Sequence, residues 1–562
     1  MKRSTAARIG SVFTGALIFG MLLLPLAEAR VTLKNGNFFR AYTDIGYTLG
    51  AEPKIERVYN SKTNYKGIFG PGWGNEYEVR LTVSADGSVV VQEYGGGADN
   101  RFTPKIINAA ELETSIAKIA ELKKFASRKA LDDYKQKLRG DPILRNNEWQ
   151  ALVDAGKMQA KQLPVGTQLM SNKFAYQVVT RLKDGYQRSF DTGKVERFDE
   201  KGRLTRVSDK NGNFIDLTYS REGRIEKLVD NLNRKLFFTF NSRGLLEKVQ
   251  GEDAAEASYK YNSLGQLEES KDAKGTVHKY RYTTDGYNNL TEVLYDDKTT
   301  VKVSYYGNDK FQSVKTLKER DGTLNEYDYV LDPRDPSHLT SSVTVKDSEG
   351  KTFSQQKYEY FFKYKSDGEE WTYKLISEND GEKSETIYNE CCGLPLQIKR
   401  GNDETSFVYD TKGRVVRKTT PSEVTDLSYD PKAGKVAKVV RNSKTDKKLS
   451  SWSQFQYDAR GNLVFAKNSD KKGVKLFYDN SGRIRTLVDQ DRRRLDFKYD
   501  QNSRPVEITD PKLGTIKVFY KSSGGEIEKV DSAAGQKVAV QVTTAFQNLL
   551  EIIRPAGVSL TP

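Results

Sequence analysis

The sequence predicts an all-β protein, a long antiparallel sheet of stacked hairpins with a small α-helical insertion near the N-terminus. An aromatic residue four positions before a glycine recurs at a step of 21 residues. The segment before each aromatic alternates apolar and polar side chains, and 31 Tyr and 25 Phe stand against four Met. A period of this size is typical of repeat architectures, and alternation rich in aromatics is typical of β-strands.

Residues 1–29 have the pattern of a secretory signal peptide. Lys2, Arg3 and Arg8 precede an apolar stretch, and a small-x-small cleavage site ends at Ala29. An uncleaved membrane anchor is the alternative, which the Gly and Pro residues in a short apolar run disfavour. We therefore expect a mature chain that begins at Arg30, has no membrane span after cleavage, and is secreted, periplasmic or at the cell surface.

Two segments are expected ahead of the repeats. Residues 30–105 form an N-terminal β segment, and residues 106–165 form the helical insertion. The stretch from Glu111 to Gly140 predicts one amphipathic helix, because apolar residues recur there at helical spacing: Leu112, Ile116, Ile119, Leu122 and Phe125. This helix either packs across the sheet end as a cap or presents a groove-binding face to a partner.

The first repeat array covers residues 166–306. Apolar side chains alternate into each aromatic, as in Ile215, Leu217 and Tyr219. The apolar positions of the next strand, such as Ile225 and Leu228, differ in parity, which predicts either a bulge or a sheet with two half-buried faces. A short polar side chain after the aromatic and a glycine at positive φ predict a tight turn. The repeat aromatics are Phe198, Tyr219, Phe240, Tyr261 and Tyr282, and the turn glycines are Gly202, Gly223, Gly244, Gly265 and Gly286.

The pattern becomes irregular over residues 307–380, which we interpret as degenerate hairpins of the same sheet, and returns over residues 381–530. The second array has Tyr409, Tyr457, Tyr478, Tyr499 and Tyr520 as repeat aromatics and Gly413, Gly461 and Gly482 as turn glycines. Residues 531–562 are expected to form a C-terminal cap, whose short apolar helix from Thr543 to Ile553 closes the other end of the sheet.

These motifs carry a family resemblance. The phrase "YDxxGRL" at a 21-residue step resembles the YD or RHS repeat of bacterial RHS proteins, teneurins and toxin-complex shells, over Gln177 to Lys529. The segment from Asn35 to Leu81 resembles the opening of RHS proteins, with "RxYNS" followed by "GxxGxGW". The resemblance implies that the sheet spirals into a shell or partial barrel, whose hollow interior can enclose a polypeptide. The autoproteolytic Asp-Pro and Asn-Pro segment and the variable toxin domain of RHS toxins are not recognised here, so we expect a shell or binding surface without its toxin.

Catalytic chemistry is not expected. His278 and His338 are the only histidines, which disfavours His-rich metal sites and Ser-His triads. His278 occupies a strand position equivalent to Leu236 and is expected to be structural. Phosphate loops, nucleophile elbows and Rossmann signatures do not occur, and among 76 acidic residues a carboxylate pair has no specificity. We predict no catalytic residue, no metal and no cofactor.

Cys391 and Cys392 are the only cysteines and are adjacent. In an oxidising compartment an even count suggests pairing, although a vicinal disulfide closes a very small ring. A vicinal disulfide and two free thiols remain equal alternatives, with an intermolecular bridge as a third.

The net charge is +15, or +13 once the three cations and one anion of the signal peptide are removed. Lys and Arg alternate with Asp and Glu and form no basic block, which favours a solvated sheet face, and nucleic acid is not expected as a partner. The function predicted is an exported, non-enzymatic RHS/YD-repeat protein that binds or encapsulates an unknown protein cargo or envelope polysaccharide. The alternatives are a toxin-delivery shell that works with a separately encoded effector, and an enzyme or lectin acting on envelope polysaccharide through exposed repeat aromatics.

Overall fold

The structure is a computed structural model. It describes residues 30–532, apart from 48–49, 95–96, 105–107, 172–176, 253, 308–309, 366–369, 391, 447–448, 501–503 and 521–526, together with residues 542, 544, 547 and 549–553. The predicted signal peptide, residues 1–29, lies outside these described residues.

The chain opens with a small sheet that is separate from the repeats. Its four antiparallel strands lie in the order β1 (Arg30–Thr32), β2 (Asn37–Gly46), β3 (Lys54–Asn60) and β6 (Trp73–Asn75). A two-residue hairpin, β4 (Lys66–Gly67) with β5 (Gly70–Pro71), interrupts it, and a single 3₁₀ turn, Glu76–Glu78, leads out of it. The segment predicted as one unit over residues 30–105 is therefore two, because the strands that follow this turn belong to the main sheet.

The main sheet has thirty-six antiparallel strands, each hydrogen-bonded to its neighbours in chain order. The strands are β7 (Arg80–Val83), β8 (Val89–Glu93), β9 (Ala98–Thr103), β10 (Gln168–Ser171), β11 (Val178–Leu182), β12 (Gly185–Ser189), β13 (Val195–Phe198), β14 (Leu204–Ser208), β15 (Phe214–Tyr219), β16 (Ile225–Asp230), β17 (Lys235–Phe240), β18 (Leu246–Gly251), β19 (Glu256–Tyr261), β20 (Leu267–Lys271), β21 (Val277–Tyr282), β22 (Leu290–Tyr295), β23 (Thr300–Tyr305), β24 (Val314–Lys318), β25 (Leu324–Asp332), β26 (Asp335–Lys346), β27 (Thr352–Tyr364), β28 (Glu370–Asn379), β29 (Glu382–Tyr388), β30 (Pro395–Arg400), β31 (Asp403–Tyr409), β32 (Val415–Thr419), β33 (Glu423–Tyr429), β34 (Val436–Ser443), β35 (Ser450–Tyr457), β36 (Leu463–Asn468), β37 (Gly473–Tyr478), β38 (Ile484–Asp489), β39 (Arg494–Tyr499), β40 (Pro505–Asp510), β41 (Gly514–Tyr520) and β42 (Ile527–Ser532).

The all-β prediction and the long antiparallel sheet are confirmed. The bulge inferred from the parity change is present: between Thr218 and Tyr219 the register against β16 shifts, and the same shift recurs at the repeat aromatic in the other hairpins. Residues 307–380 belong to the same sheet, with β25 to β28 longer than the repeat strands on either side.

The sheet winds back onto itself. Arg80 in β7 bridges to Arg203 at the start of the β13–β14 return, and the Lys210 ammonium donates to the carbonyl of Gly461 in the second array. A Cβ built on Gly482 would lie 2.4 Å from the side chain of Asn211. The turns of the first array therefore rest against those of the second, as in a spiral.

The helical insertion differs from its prediction. It contains three helices, α1 (Ala109–Glu121), α2 (Arg128–Gly140) and α3 (Pro142–Asp154), instead of one helix from Glu111 to Gly140. The Ser127 side chain accepts a hydrogen bond from the amide of Ala130 and starts a new helix, while Asp141 caps α3 with Pro142 at its first position. The three helices share a small core with Ala85 in the β7–β8 turn, so they cover the beginning of the sheet.

Two further apolar cores lie on one face of the sheet, which we call the inner face. The larger joins the small N-terminal sheet to β7 through β26. The smaller lies on β34 through β39 and includes Leu549, Ile552 and Ile553. Residues 542, 544, 547 and 549–553 are helical, and the rest of the predicted C-terminal helix lies outside the described residues. The described part packs against the inner face of the second array.

Candidate functional site: the inner wall and its cavity

The repeat tyrosine ties each hairpin to the one before it. Its hydroxyl donates to the carbonyl of the first residue of the preceding return strand, as Tyr478 does to Leu463 at 2.8 Å. Burial raises the pKa of the Tyr499 hydroxyl to about 12, so it remains a donor at physiological pH. The same bond, at 2.6 to 2.9 Å, is made by Tyr219, Tyr261, Tyr282, Tyr409, Tyr457, Tyr499 and Tyr520. The aromatics at Phe198 and Phe240 have no hydroxyl and contribute packing alone.

The aspartate, glycine and arginine of the repeat form one turn. Asp410 Oδ1 accepts from the amides of Lys412 and Arg414, at 2.9 and 3.0 Å, while Arg414 Nε donates to Asp410 Oδ2 at 2.7 Å. The Arg414 guanidinium then lies 4.2 Å from the ring centroid of Tyr429, the aromatic of the next hairpin. Units with this arginine, at Arg203, Arg414, Arg483 and Arg504, are thereby tied forward by the arginine, and the tyrosine of the next hairpin ties back to them.

The turn glycines have the left-handed conformation that this geometry requires. Their φ angles lie between 72° and 87°, where a side chain is strained. These are Gly202, Gly223, Gly244, Gly265, Gly286, Gly413, Gly461 and Gly482.

A buried ion pair fixes the N-terminal segment to the inner face of the first array. Arg57, fully buried, donates from Nε to Asp44 Oδ2 at 2.6 Å and from Nη2 to Ser270 Oγ at 2.7 Å. The Tyr259 hydroxyl donates to the same carboxylate at 2.8 Å. Burial raises the pKa of Asp44 while Arg57 opposes the rise. The pair therefore links β2 and β3 to β19 and β20.

The aromatic residues of the opening segment extend this attachment. Trp73 Nε1 donates to the Tyr282 hydroxyl at 2.9 Å, and the amide of Leu290 donates to the Tyr59 hydroxyl at 2.8 Å. His278 lies 4.9 Å from the Tyr42 ring, and burial together with Arg57 lowers its pKa to about 4. His278 is therefore neutral and lies within the buried aromatic packing.

Among the described residues, neither apolar core extends across the stretch of inner face that lies between them. Directly opposed residues of antiparallel strands share a face, so the register follows the inner face from buried Ser341 through Tyr358, Ser377, Ser384 and Arg400 to Asp403. The register can also be followed from the second array, where the buried Val439 is opposed to Leu427 on β33. Thr425, two residues before Leu427 on β33, shares its face and is opposed to Lys418, which in turn is opposed to Phe407. Most of these side chains are only half-buried. We call this surface, on β28 to β34, the inner wall.

A second inner surface is a cavity of about 660 Å³ beneath the N-terminal segment. The end of β2, the 3₁₀ turn and the β20–β21 turn enclose it against β8, β13, β14 and β15. Burial raises the pKa of Glu76, which lines the cavity, to about 7, although Lys54 opposes the rise. Among the described residues, no group of three or more His, Cys, Asp or Glu side chains is arranged to hold a metal.

The predicted repeat aromatics and turn glycines are distributed along the main sheet and do not meet at one point. Cys392 is disulfide-bonded, whereas Cys391 lies outside the described residues, so their pairing stays a prediction. No helix within the described ranges is long and apolar enough to span a bilayer. The sequence reasoning missed Asp44, Arg57 and Glu76. Arg57 carried a signal, since strand alternation places this charged residue on the same face as Ile55 and Tyr59.

A continuous antiparallel wall of hairpins joined by tyrosine hydroxyls defines the class of YD-repeat shells. Residues 194–341 match the family model described as the teneurin YD-shell, and residues 29–99 match a domain of unknown function, DUF6531. The RHS/YD-repeat resemblance that the repeats predicted is confirmed by the match over residues 194–341.

Individual relatives are similar over limited parts. The tRNA3(Ser)-specific nuclease WapA of Bacillus spizizenii is 26% identical over 110 residues, 19% of this chain and 5% of the relative. Double-stranded DNA deaminase toxin A of Burkholderia cenocepacia is 31% identical over 101 residues, 17% of this chain and 7% of the relative. The chain thus spans a small part of the curated relatives it matches.

Two solved structures are similar at low identity. A Tc holotoxin pore of Photorhabdus luminescens is 12% identical, with 90% of this chain and 28% of that chain covered at a TM-score of 0.42. A TcdB2–TccC3 complex without its hypervariable C-terminal region is also 12% identical, with 88% and 28% covered at a TM-score of 0.39.

Proposed function

We propose that this chain is the wall of an exported β-shell that encloses a polypeptide and performs no chemistry itself. The observation that carries the proposal is the inner wall, because within the described residues it is the part of the inner face that neither apolar core extends across. Serine, threonine and charged side chains alternate there with Leu375, Ile398, Phe407 and Leu427. Such a surface offers hydrogen bonds and moderate apolar contact to an extended chain without the fully apolar face of a folding core.

The repeat aromatics favour this function over a polysaccharide-binding one. Stacking on a sugar ring needs an open aromatic face, but the repeat tyrosines are half-buried and many carry an arginine of the preceding turn against the ring. Their hydroxyls are already donors to the backbone. The aromatic ladder is therefore assigned to the construction of the wall.

A toxin-delivery shell that works with a separately encoded effector is a second candidate. It is favoured by two partial relatives, a tRNA-specific nuclease and a DNA deaminase toxin. In this case the enclosed polypeptide would itself be the toxin.

Site-specific photocrosslinking tests the proposal. A photoreactive phenylalanine is placed at Thr405, on the inner wall, or at the adjacent Glu404, which is exposed on the opposite face, in the full-length protein in its own cells. We expect a discrete heavier adduct with a polypeptide from Thr405 only. Equal adducts from both positions, or adduct from neither, would overturn the proposal. Mass spectrometry of the adduct distinguishes a toxin from another cargo.

Export and the absence of catalysis are tested separately. N-terminal sequencing of the exported protein should begin at Arg30. Purified protein incubated with peptidoglycan or envelope polysaccharide should release no product with time. Product that accumulates linearly, and stops when one carboxylate is changed, would contradict the non-enzymatic proposal.

A further inference from the structure

The cavity beneath the N-terminal segment combines apolar walls with charged groups. Its apolar lining comes from both sides, with Ile45 and Val79 from the N-terminal part and Val207 and Ile215 from the main sheet. At about 660 Å³ it is far larger than a single ion needs. It lies under the first array and is separate from the inner wall on β28 to β34.

Most carboxylates around the cavity already have partners. Glu196 is paired with Lys194 at 2.8 Å and with Arg188 at 3.2 Å, and Arg188 also binds Glu93. Lys54 lies 3.1 Å from Glu56. Asp44 is held by Arg57, and Asp272 accepts the amides of its own turn.

Glu76 is different. Its Oε1 atom is buried and has no hydrogen-bond partner among the described residues. The side chain as a whole is half-buried and lines the cavity, and no described residue donates a hydrogen bond to its carboxylate, so this carboxylate can accept from a group that is supplied from outside. The missing group must be a hydrogen-bond donor, and a cation satisfies an ionised carboxylate best.

We propose that this cavity binds the primary ammonium group of an alkylamine, with the Glu76 carboxylate as its anchor and the apolar lining against its methylene chain. A metal ion suits the cavity less well, because the neighbouring carboxylates are occupied and no metal-binding group occurs among the described residues. Free polyamines and the lysine side chain of a polypeptide share this chemistry. The proposal does not depend on the shell function, since a free amine is sufficient to test it.

Binding should depend on pH. Glu76 has a pKa raised to about 7 by burial, so its carboxyl is mostly neutral at pH 6 and mostly ionised at pH 8, where an alkylamine is still protonated. The affinity should therefore be about tenfold higher at pH 8 than at pH 6. The other charged or titratable groups that face Glu76 or line the cavity with it are Asp44, Tyr47, Glu52, Lys54, Glu56, Tyr77, Glu93, Tyr94, Lys194, Glu196, Asp272 and Lys274.

Calorimetric titration of the mature full chain with cadaverine is the first experiment. We expect saturable binding at pH 8, about tenfold weaker binding at pH 6, and at least tenfold weaker binding in Glu76→Gln at pH 8. Glu200→Gln, which removes an exposed carboxylate outside the cavity, is the matched control and should bind like the parent. Equal thermal unfolding midpoints of the two variants show that the loss is local.

Further ligands identify the source of the amine and can overturn the proposal. Binding by spermidine indicates free polyamines, and binding by Nα-acetyl-lysine methylamide indicates a lysine side chain. Pentanol, which has the alkyl chain without the ammonium group, should not bind. No binding of cadaverine, equal binding by Glu76→Gln, equal binding of pentanol, or displacement by equimolar Mg²⁺ would each contradict an ammonium site.

Discussion

The first array and the inner wall share one external construction and differ in what covers their inner face. Both have the hydroxyl bond from the repeat tyrosine, as in Tyr282 to Leu267 and Tyr409 to Pro395. In the first array the N-terminal segment adds a large apolar core and a buried ion pair. Between β28 and β34 few side chains are fully buried. The comparison teaches that the hydrogen bonds between neighbouring hairpins hold the whole sheet together, whereas the apolar core beneath the N-terminal segment stabilises only the strands that it covers.

Removing the buried arginine should give the largest difference between the two regions. Arg57→Met leaves the Asp44 carboxylate buried without its cation, which costs about 3–5 kcal/mol in the first array. Hydrogen exchange should accelerate in β19 to β22 and stay unchanged in β36 to β39.

Two variants control this prediction. Adding Asp44→Asn to Arg57→Met should restore part of the loss, because no unpaired charge remains. Arg493→Met in the second array should cost about 1 kcal/mol or less, since the buried Asp489 keeps the amides of Asp491 and Arg493 as donors. Equal effects of Arg57→Met and Arg493→Met would refute the distinction between the two regions.

Raising the pH should weaken the attachment of the N-terminal segment. Burial raises the pKa of Glu78 to about 7, with the amide of Ile68 and the Tyr65 hydroxyl opposing the rise. Because the folded pKa exceeds the unfolded one, the contribution of Glu78 to stability is full below about pH 4.5 and is lost as the pH rises to about 7, on the order of 3 kcal/mol.

Hydrogen exchange at pH 5 and pH 8, corrected for the intrinsic rate, measures this loss. It should appear around β4 to β7 and not in β36 to β39, and Glu78→Gln should flatten it. A pH dependence that is the same in both regions would show that Glu78 is not its cause.

Replacing a turn glycine by alanine should have the next largest effect, and its cost in stability should differ between the two arrays. Gly461→Ala should cost about 1 kcal/mol, because φ is positive but the space is open apart from Lys435. Gly202→Ala should cost about 2 kcal/mol or more, since its Cβ would lie 1.8 Å from the carbonyl oxygen of Leu81 and the β7 contact must move. Denaturation midpoints followed by peptide-level hydrogen exchange measure both; equal costs would argue against a tight β7 contact.

Loss of one hydroxyl should give the smallest effects. Tyr478→Phe removes a single bond to the Leu463 carbonyl and should cost about 1 kcal/mol. Tyr282→Phe leaves both the Leu267 carbonyl and the Trp73 indole N–H without a partner and should cost about 2 kcal/mol. The ratio of the two, from local exchange rates, reports how much the N-terminal segment adds to a repeat; a ratio near one would mean that it adds little.

Local chemistry explains which of these features the sequence predicted. Strand alternation, the turn glycines and the bulge at Tyr219 follow from neighbours in the chain, so periodicity was sufficient to find them. Asp44 and Arg57 lie on the adjacent strands β2 and β3, but Ser270 meets Arg57 and Tyr259 meets Asp44 only after the chain has wound through many strands, and no local pattern contains those two contacts. The break between α1 and α2 and the start of α3 were predictable, because Ser127 and the Asp141–Pro142 pair are ordinary helix-start signals that the apolar spacing concealed.

The hydroxyl bond of each repeat tyrosine has a consequence for how such genes change. Each bond reaches only the preceding unit. A unit therefore carries one hydroxyl donor for the unit before it and one carbonyl acceptor for the unit after it. A duplication or deletion of one whole unit at the DNA level would preserve the reading frame, the strand register and the junction between the units on either side. Chains of this kind can therefore differ in length by whole hairpins while every remaining junction keeps the same atoms in contact.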